Sequence, residues 1–382
     1  MSVSIPMWTY RDAVQHVLDI GGASTDGTAK TLAKTAVQLV YRELSTISEW
    51  SYFRKTARLV IEAAYSTGTI EYDNSGGASE RLITLTSGTW PTWTARGQIY
   101  ISGIWYDVAT RESSTTLTLG STANPGADVA SGTSYTLSRS RYTMPVDYRA
   151  GSRLVDLERS WTLDYVTPQT LNLAKVTRES SNDPRMYTII NDPDYVGALA
   201  VEVYPPPLSQ RVFDYVYMRR QLPMSIEGYE TGTVAITAAS ASVVGTGTAW
   251  TSAMIGSVIR LGDTSDVPTG IQGLTPFIEE RIVTAVGSAT TLTLDTAVTN
   301  TYSAAKYVIS SLVDMDEAVM LPAFITGCEA VYARMTRDSG YGMLQQAYMG
   351  AIQLARGADV KNIPDIDTGW YPASLGDYAV VE

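Results

Sequence analysis

The chain has 382 residues, 45% of them apolar and 18% charged, with a net charge of −11. That length supports two or three domains with cores of their own, and the composition excludes an intrinsically disordered chain. The 28 Lys and Arg against 39 Asp and Glu exclude a general nucleic-acid binder, and the single cysteine, Cys328, excludes an intramolecular disulfide or a thiolate zinc site. The first residues lack the charged start and apolar run of a signal peptide, and no stretch approaches the ~20 apolar residues of a membrane span. A soluble product of a reducing compartment, with no membrane contact, is expected.

Thr9 to Leu18 reads as a short helix with a Thr cap, stopped by Gly21-Gly22. A second helix is expected from about Thr28 to Ser48, where Leu32, Ala36, Leu39, Val40, Leu44 and Ile47 recur at helical spacing. Near Ser51 the period turns strand-like, and Tyr52 to Ile61 leads into a β-rich segment that occurs twice. Both copies open on Thr-Gly-Thr (Thr67-Gly68-Thr69 and Thr231-Gly232-Thr233) and pass through Gly88-Thr89-Trp90 or Gly247-Thr248-Ala249-Trp250. Both close on Thr-Thr-Leu-Thr-Leu, at Thr115–Leu119 and Thr290–Leu294, before a Tyr-bearing strand at Tyr135 or Tyr307. Two copies are too few for a solenoid, so they read as two β modules on one scaffold.

Within the first copy, Gly97 to Val108 reads as a hairpin turning at Ser102-Gly103. Between the copies, a short helix over Pro168 to Lys175 leads into a β-meander whose strand Ala198–Tyr204 must stop at Pro205-Pro206-Pro207, because proline has no amide to donate. The second copy carries an extra loop from about Asp263 to Glu280; Asp266, Pro268, Gln272 and Pro276 mark it as a candidate contact with a partner. After it, Asp314 or Asp316 is expected to cap a helix reaching about Arg337, and a last helix follows Gly340-Tyr341-Gly342 and ends at Gly357. Residues 362–382 have four acids and no Lys or Arg, and Trp370, Tyr371, Pro372 and Tyr378 make them too aromatic for an inert tail; a docking arm is expected.

The expected fold class is therefore α+β. A helical-bundle core from both chain ends, residues 1–50 and 312–361, carries a β-meander (51–66 and 139–230) and two inserted, mutually similar antiparallel β modules (67–138 and 231–311), with 362–382 as an extended arm.

Little in the sequence points to catalysis. His16, the one histidine, lies in a helix beside Val14 and Val17 with no motif supplying a nucleophile or an orienting third group. Cys328 sits on an apolar helical stripe, the place of a buried inert thiol. Gly245-Thr246-Gly247 is followed by no lysine or helix, so it is not a phosphate cradle. Trp90 and Trp250 could stack on sugars, but their recurrence in both copies is better explained by a shared core position. No enzyme, cofactor or metal site is expected.

The order of parts resembles the head-to-tail adaptor (connector or head-completion) proteins of tailed bacteriophages. The likeness is carried by the amino-terminal helices, the Gly88-Thr89-Trp90-Pro91 module, the exit Tyr142-x-Met144-Pro145-x-Asp147-Tyr148-Arg149, the Val203-Tyr204-Pro205 strand end, the Gly247-Thr248-Ala249-Trp250 module and the closing helical pair. The resemblance implies a homo-oligomeric, commonly dodecameric ring beneath the portal protein, made in the host cytoplasm and placed at the neck of the virion. It also implies contacts with tail or further neck proteins, and genomic DNA passing through without specific binding. A tail or baseplate structural protein and a carbohydrate-binding adhesive β protein stay open as other readings.

Overall fold

A computed structural model of the chain describes residues 7–22, 26–75, 80–139, 141–156, 158–159, 161–175, 183–207, 209–262 and 277–361. The chain divides into two units, Met1–Phe53 with Gln221–Glu382, and Arg54–Arg220.

Capping chemistry sets the first helix starts. α1 (Tyr10–Ile20) begins after Thr9, whose hydroxyl accepts the Asp12 amide while the Asp12 carboxylate accepts the Thr9 amide, a reciprocal capping box. α2 (Gly27–Thr46) begins after Asp26, which accepts the Thr28 amide at 3.0 Å; the cap lies two residues before Thr28, where the sequence places the start.

In the unit Arg54–Arg220, β1 (Arg54–Ile61) is followed by the first module: β2 (Ile70–Asp73), β3 (Leu82–Leu85), β4 (Gly97–Ile101), β5 (Ile104–Arg111), β6 (Thr116–Leu119), β7 (Val129–Thr133) and β8 (Tyr135–Arg139). These form a seven-stranded sheet in the order β7-β2-β3-β6-β5-β4-β8, curled into a half-barrel. The β4–β5 hairpin turns at Ser102 and Gly103, both at positive φ, as its two-residue loop requires. The outer strands β7 and β8 are consecutive, with Ser134 alone between them, so one run of chain supplies both sheet edges. Ile70, Tyr72, Ile83, Trp90, Ile99, Leu117 and Leu137 fill the interior.

The remaining strands of this unit are β9 (Arg141–Thr143), β10 (Tyr148–Gly151), β11 (Val155–Asp156), β12 (Trp161–Thr162) and β13 (Asp164–Tyr165), then, after α3 (Pro168–Lys175), β14 (Met186–Asn191), β15 (Leu199–Tyr204) and β16 (Arg211–Arg219). In place of one meander they make two sheets. One runs β1-β16-β11-β12 with β10 also on β16, and the other runs β13-β14-β15-β9 with β13 parallel to β14. β15 stops at Tyr204, where the prolines remove the ladder donors. Tyrosines dominate this interior, with Tyr148 stacked on Tyr217 at 5.7 Å between ring centres.

In the other unit, the second module contributes β17 (Thr233–Ile236), β18 (Ser242–Thr246), β19 (Ser257–Leu261), β20 (Glu279–Ser288), β21 (Thr291–Leu294), β22 (Tyr302–Ala305) and β23 (Tyr307–Ser311). Its order, β22-β17-β18-β21-β20-β19-β23, reproduces the first half-barrel strand for strand. α4 (Leu321–Thr336) and α5 (Tyr341–Lys361) follow. Gly327 of α4 allows the helices to approach: a Cβ there would lie 2.6 Å from Tyr348 of α5 and 2.7 Å from Val40 of α2.

These observations overturn the expected helical-bundle core with inserted modules. Among the described residues β structure outweighs helix, 37% strand against 26% helix, in four sheets, two of them half-barrels. The reason is that each half-barrel closes an apolar core of its own, and the helices form a smaller layer beside the second. Three smaller expectations also change. α4 starts at Leu321, with Pro322 in its first turn; Asp316 instead binds the Ala318 and Val319 amides in the preceding turn. Asp314 is buried, accepting from the Leu222 amide and the Tyr52 hydroxyl. α5 continues through Gly357 to Lys361.

Candidate functional site

Both groups of candidate contact residues, Asp266, Pro268, Gln272 and Pro276 in the loop and Trp370, Tyr371, Pro372 and Tyr378 in the arm, lie outside the described residues. The base of the loop is described. Strands β19 and β20 pair up to Leu261 and Glu279, and the Ile278 amide donates to the Leu261 carbonyl at 2.9 Å. Glu279 and Glu280 therefore belong to β20, where the sequence had assigned them to the loop.

Directly behind that base stands Arg260, its side chain 2% exposed in a strand buried at every position. Its guanidinium donates to both Asp12 oxygens, at 2.7 and 2.5 Å, to Glu280 at 2.8 Å and to the Met7 carbonyl at 2.9 Å. Burial alone would lower the arginine pKa, but the hydrogen bonds and charges of Asp12 and Glu280 outweigh it and raise it. Beside it, Glu279 accepts from the Thr299 and Asn300 amides, the Tyr302 hydroxyl and Arg281. Burial works against its ionisation, yet these donors hold the carboxyl below the usual glutamate range. Sequence reading missed this cluster; its signal was a lone arginine inside the apolar run Val258-Ile259-Arg260-Leu261.

A cleft of about 730 Å³ adjoins the cluster, lined by Trp8, Arg11, His16, Glu230, Phe277 and Lys306 among others. His16 Nε2 lies 2.9 Å from a Glu329 carboxylate oxygen, and its ring meets Trp8 edge-on at 6.0 Å. Arg11 pairs with Glu230 across the cleft. No serine or cysteine is among the described lining residues, so His16 has no nucleophile of that kind to activate there. Cys328 is buried in α4, and burial pushes its thiol pKa well up.

In the other unit, Arg96 holds the turn Asp192-Pro193-Asp194. It donates to Asp192 at 2.5 Å and contacts Asp194 at 3.0 Å, while Asp192 itself accepts the Asp194 amide. Burial again disfavours the Asp192 carboxylate, but the Asp194 amide and Arg96 keep its pKa low. Arg211 is likewise buried between Glu158 and Asp183. Each of these carboxylates is engaged by donors within its own cluster, the state of a clamp rather than of a general base. Among the described residues, no group of three His, Cys, Asp or Glu is placed to hold a metal ion.

The two tryptophans that a sugar site would use are interior. Trp90 and Trp250 are 1% and 3% exposed, each packed edge-on against a tyrosine, Tyr135 at 5.2 Å and Tyr307 at 5.9 Å. Among the described helices none is long and apolar enough to cross a membrane. No protein-family model matches the chain, and no curated protein is similar to it.

Proposed function

We propose that this chain is a structural virion protein, a head-to-tail adaptor that assembles as a ring under the portal protein, joins capsid to tail and lines the channel through which DNA leaves. The observation that carries the structural part is the duplication. The residues repeated between the half-barrels, Trp90 and Trp250, Tyr135 and Tyr307, Gly68 and Gly232, all serve barrel packing and turns. Duplicating a building part enlarges a surface without multiplying a chemistry. The adaptor part rests on the resemblance in the order of parts, together with the net charge of −11, which suits a channel that lets phosphates slide past without counterion-releasing contacts. In this reading Asp266, Pro268, Gln272 and Pro276, with the arm residues Trp370, Tyr371, Pro372 and Tyr378, meet the portal or the next neck component. Rings need two different patches on each copy that close by rotation.

The test is native mass spectrometry of the full chain alone and mixed with the portal protein of the same genome. A closed ring bound to portal is the expected species. A chain that stays monomeric and indifferent to portal overturns the adaptor reading and moves the assignment to a tail or baseplate part.

A further inference from the structure

The inner side of α5 is buried through Tyr348, Ile352 and Ala355, but its outer side leaves Met343 and Leu354 each 79% exposed and Met349 50% exposed. Met343, Ala347, Gly350 and Leu354 follow one another at spacings of four, three and four, so they share one stripe. From Ser339 to Ala355 the sequence has no charged residue, whereas a helix side facing water ordinarily carries several. Around Gly350 the space is open for at least 4 Å. Methionines beside such a furrow adapt to flat aromatic rings.

We propose that this outer side of α5 is the seat of the chain's own residues 362–382 in the free protein. The segment starts where α5 ends, at Lys361. Measured back from there, Met343 is about 27 Å along the helix axis. With the reversal made by residues 362–364, the nine residues from Pro364 to Ala373 span about 30 Å when extended, so Ala373 comes level with Met343 and Trp370 faces the helix about 10 Å short of it. The segment has four acids and no base, and the uncharged side of α5 is a surface of this acidic chain that does not repel it. A tethered segment acts at an effective concentration on the order of millimolar, so the chain's own copy outcompetes a second molecule's at ordinary dilution. This seat stands independently of the virion reading, because it concerns the chain before any partner is present.

The experiment uses the full chain carrying Met343→Cys and Ala373→Cys, oxidised mildly without portal and read by intact mass. Cys328 is buried and stays out of the reaction. The expected product is an intramolecular disulfide at monomer mass, formed about tenfold less when Leu354→Glu is added, since a carboxylate placed mid-seat would have to be desolvated. Gly342→Cys, at another open position, replaces Met343→Cys if that variant does not fold. Absence of the disulfide, its formation only at dimer mass, or indifference to Leu354→Glu would each overturn the proposal. None of these outcomes depends on whether portal is ever bound.

Discussion

Tyr135 and Tyr307 donate the same hydrogen bond in the two half-barrels, each at 2.7 Å, to the carbonyls of Thr67 and Thr231. Around them the copies match further. The Tyr65 hydroxyl accepts the Thr89 amide as that of Tyr229 accepts the Ala249 amide, and Tyr65 bridges Leu137 as Tyr229 bridges Ile309. One difference stands out: Trp250 Nε1 donates to the Tyr307 hydroxyl at 3.0 Å, whereas Trp90 Nε1 has no such partner.

That difference gives an asymmetric prediction. Tyr135→Phe should cost about 1 kcal/mol for one lost hydrogen bond. Tyr307→Phe should cost about 2 kcal/mol, because it also leaves the buried Trp250 donor unsatisfied. Urea denaturation of the two variants checks this; equal costs would mean that the Trp250 bond contributes nothing.

The strand β22 holds Ala304 at φ +50°, and counting back from the paired residues Thr133 and Ala305 puts Gly132, at φ +92°, at the same place in β7. Nothing lies within 4 Å of a Cβ built on Gly132, so only backbone conformation distinguishes the two residues there. Ala304→Gly should stabilise the second half-barrel by up to about 1 kcal/mol, and Gly132→Ala should weaken the first by about 1 kcal/mol. Thermal unfolding of both variants reads the two opposite shifts.

Arg260 ties α1 to β19 through Asp12 while Glu280 holds it from β20. Arg260→Met should cost about 3–5 kcal/mol, since two largely shielded carboxylates then lose their buried counter-charge. Combining it with Asp12→Asn should recover part of the loss, as one of those charges is gone. A double-mutant cycle in urea measures the coupling, and strict additivity would show that the pair acts independently.

Asp192 and Glu279 both have folded pKa values held below their unfolded ones. Groups of that kind contribute stability that is fully present above the unfolded carboxylate range, roughly pH 4, and is lost as pH falls through the depressed folded values. The urea midpoint should therefore hold steady from pH 7 to about 5 and fall below about 4. Glu279→Gln should lower the plateau by about 1–3 kcal/mol and make the acid limb shallower. A midpoint that rises on acidification would contradict the sign.

The half-barrels were legible because their words repeat: Thr67-Gly68 and Thr231-Gly232 mark the same tight entry, and Trp90 and Trp250 the same core position. Their weight in the fold was harder to read, since short strands of four or five residues give less periodic signal than a 20-residue helix such as α2. The two-residue strands β11, β12 and β13 have no period to detect, so the central region read as one meander. At the candidate site, Arg260 and Asp12 are 248 residues apart, and no local pattern joins partners at that distance. The helix caps divided along the same line. Thr9 and Asp12 announce a local box, while Asp314 was drawn away by the distant Leu222 amide and Tyr52 hydroxyl.

Because one unbroken run supplies both margins of each half-barrel, with only Ser134 or Lys306 as the corner, a neighbour could not borrow one margin without uprooting the other. Strand exchange between copies would have to open the whole barrel. Such modules can be crowded at high local density inside a large assembly and still keep their strands to themselves.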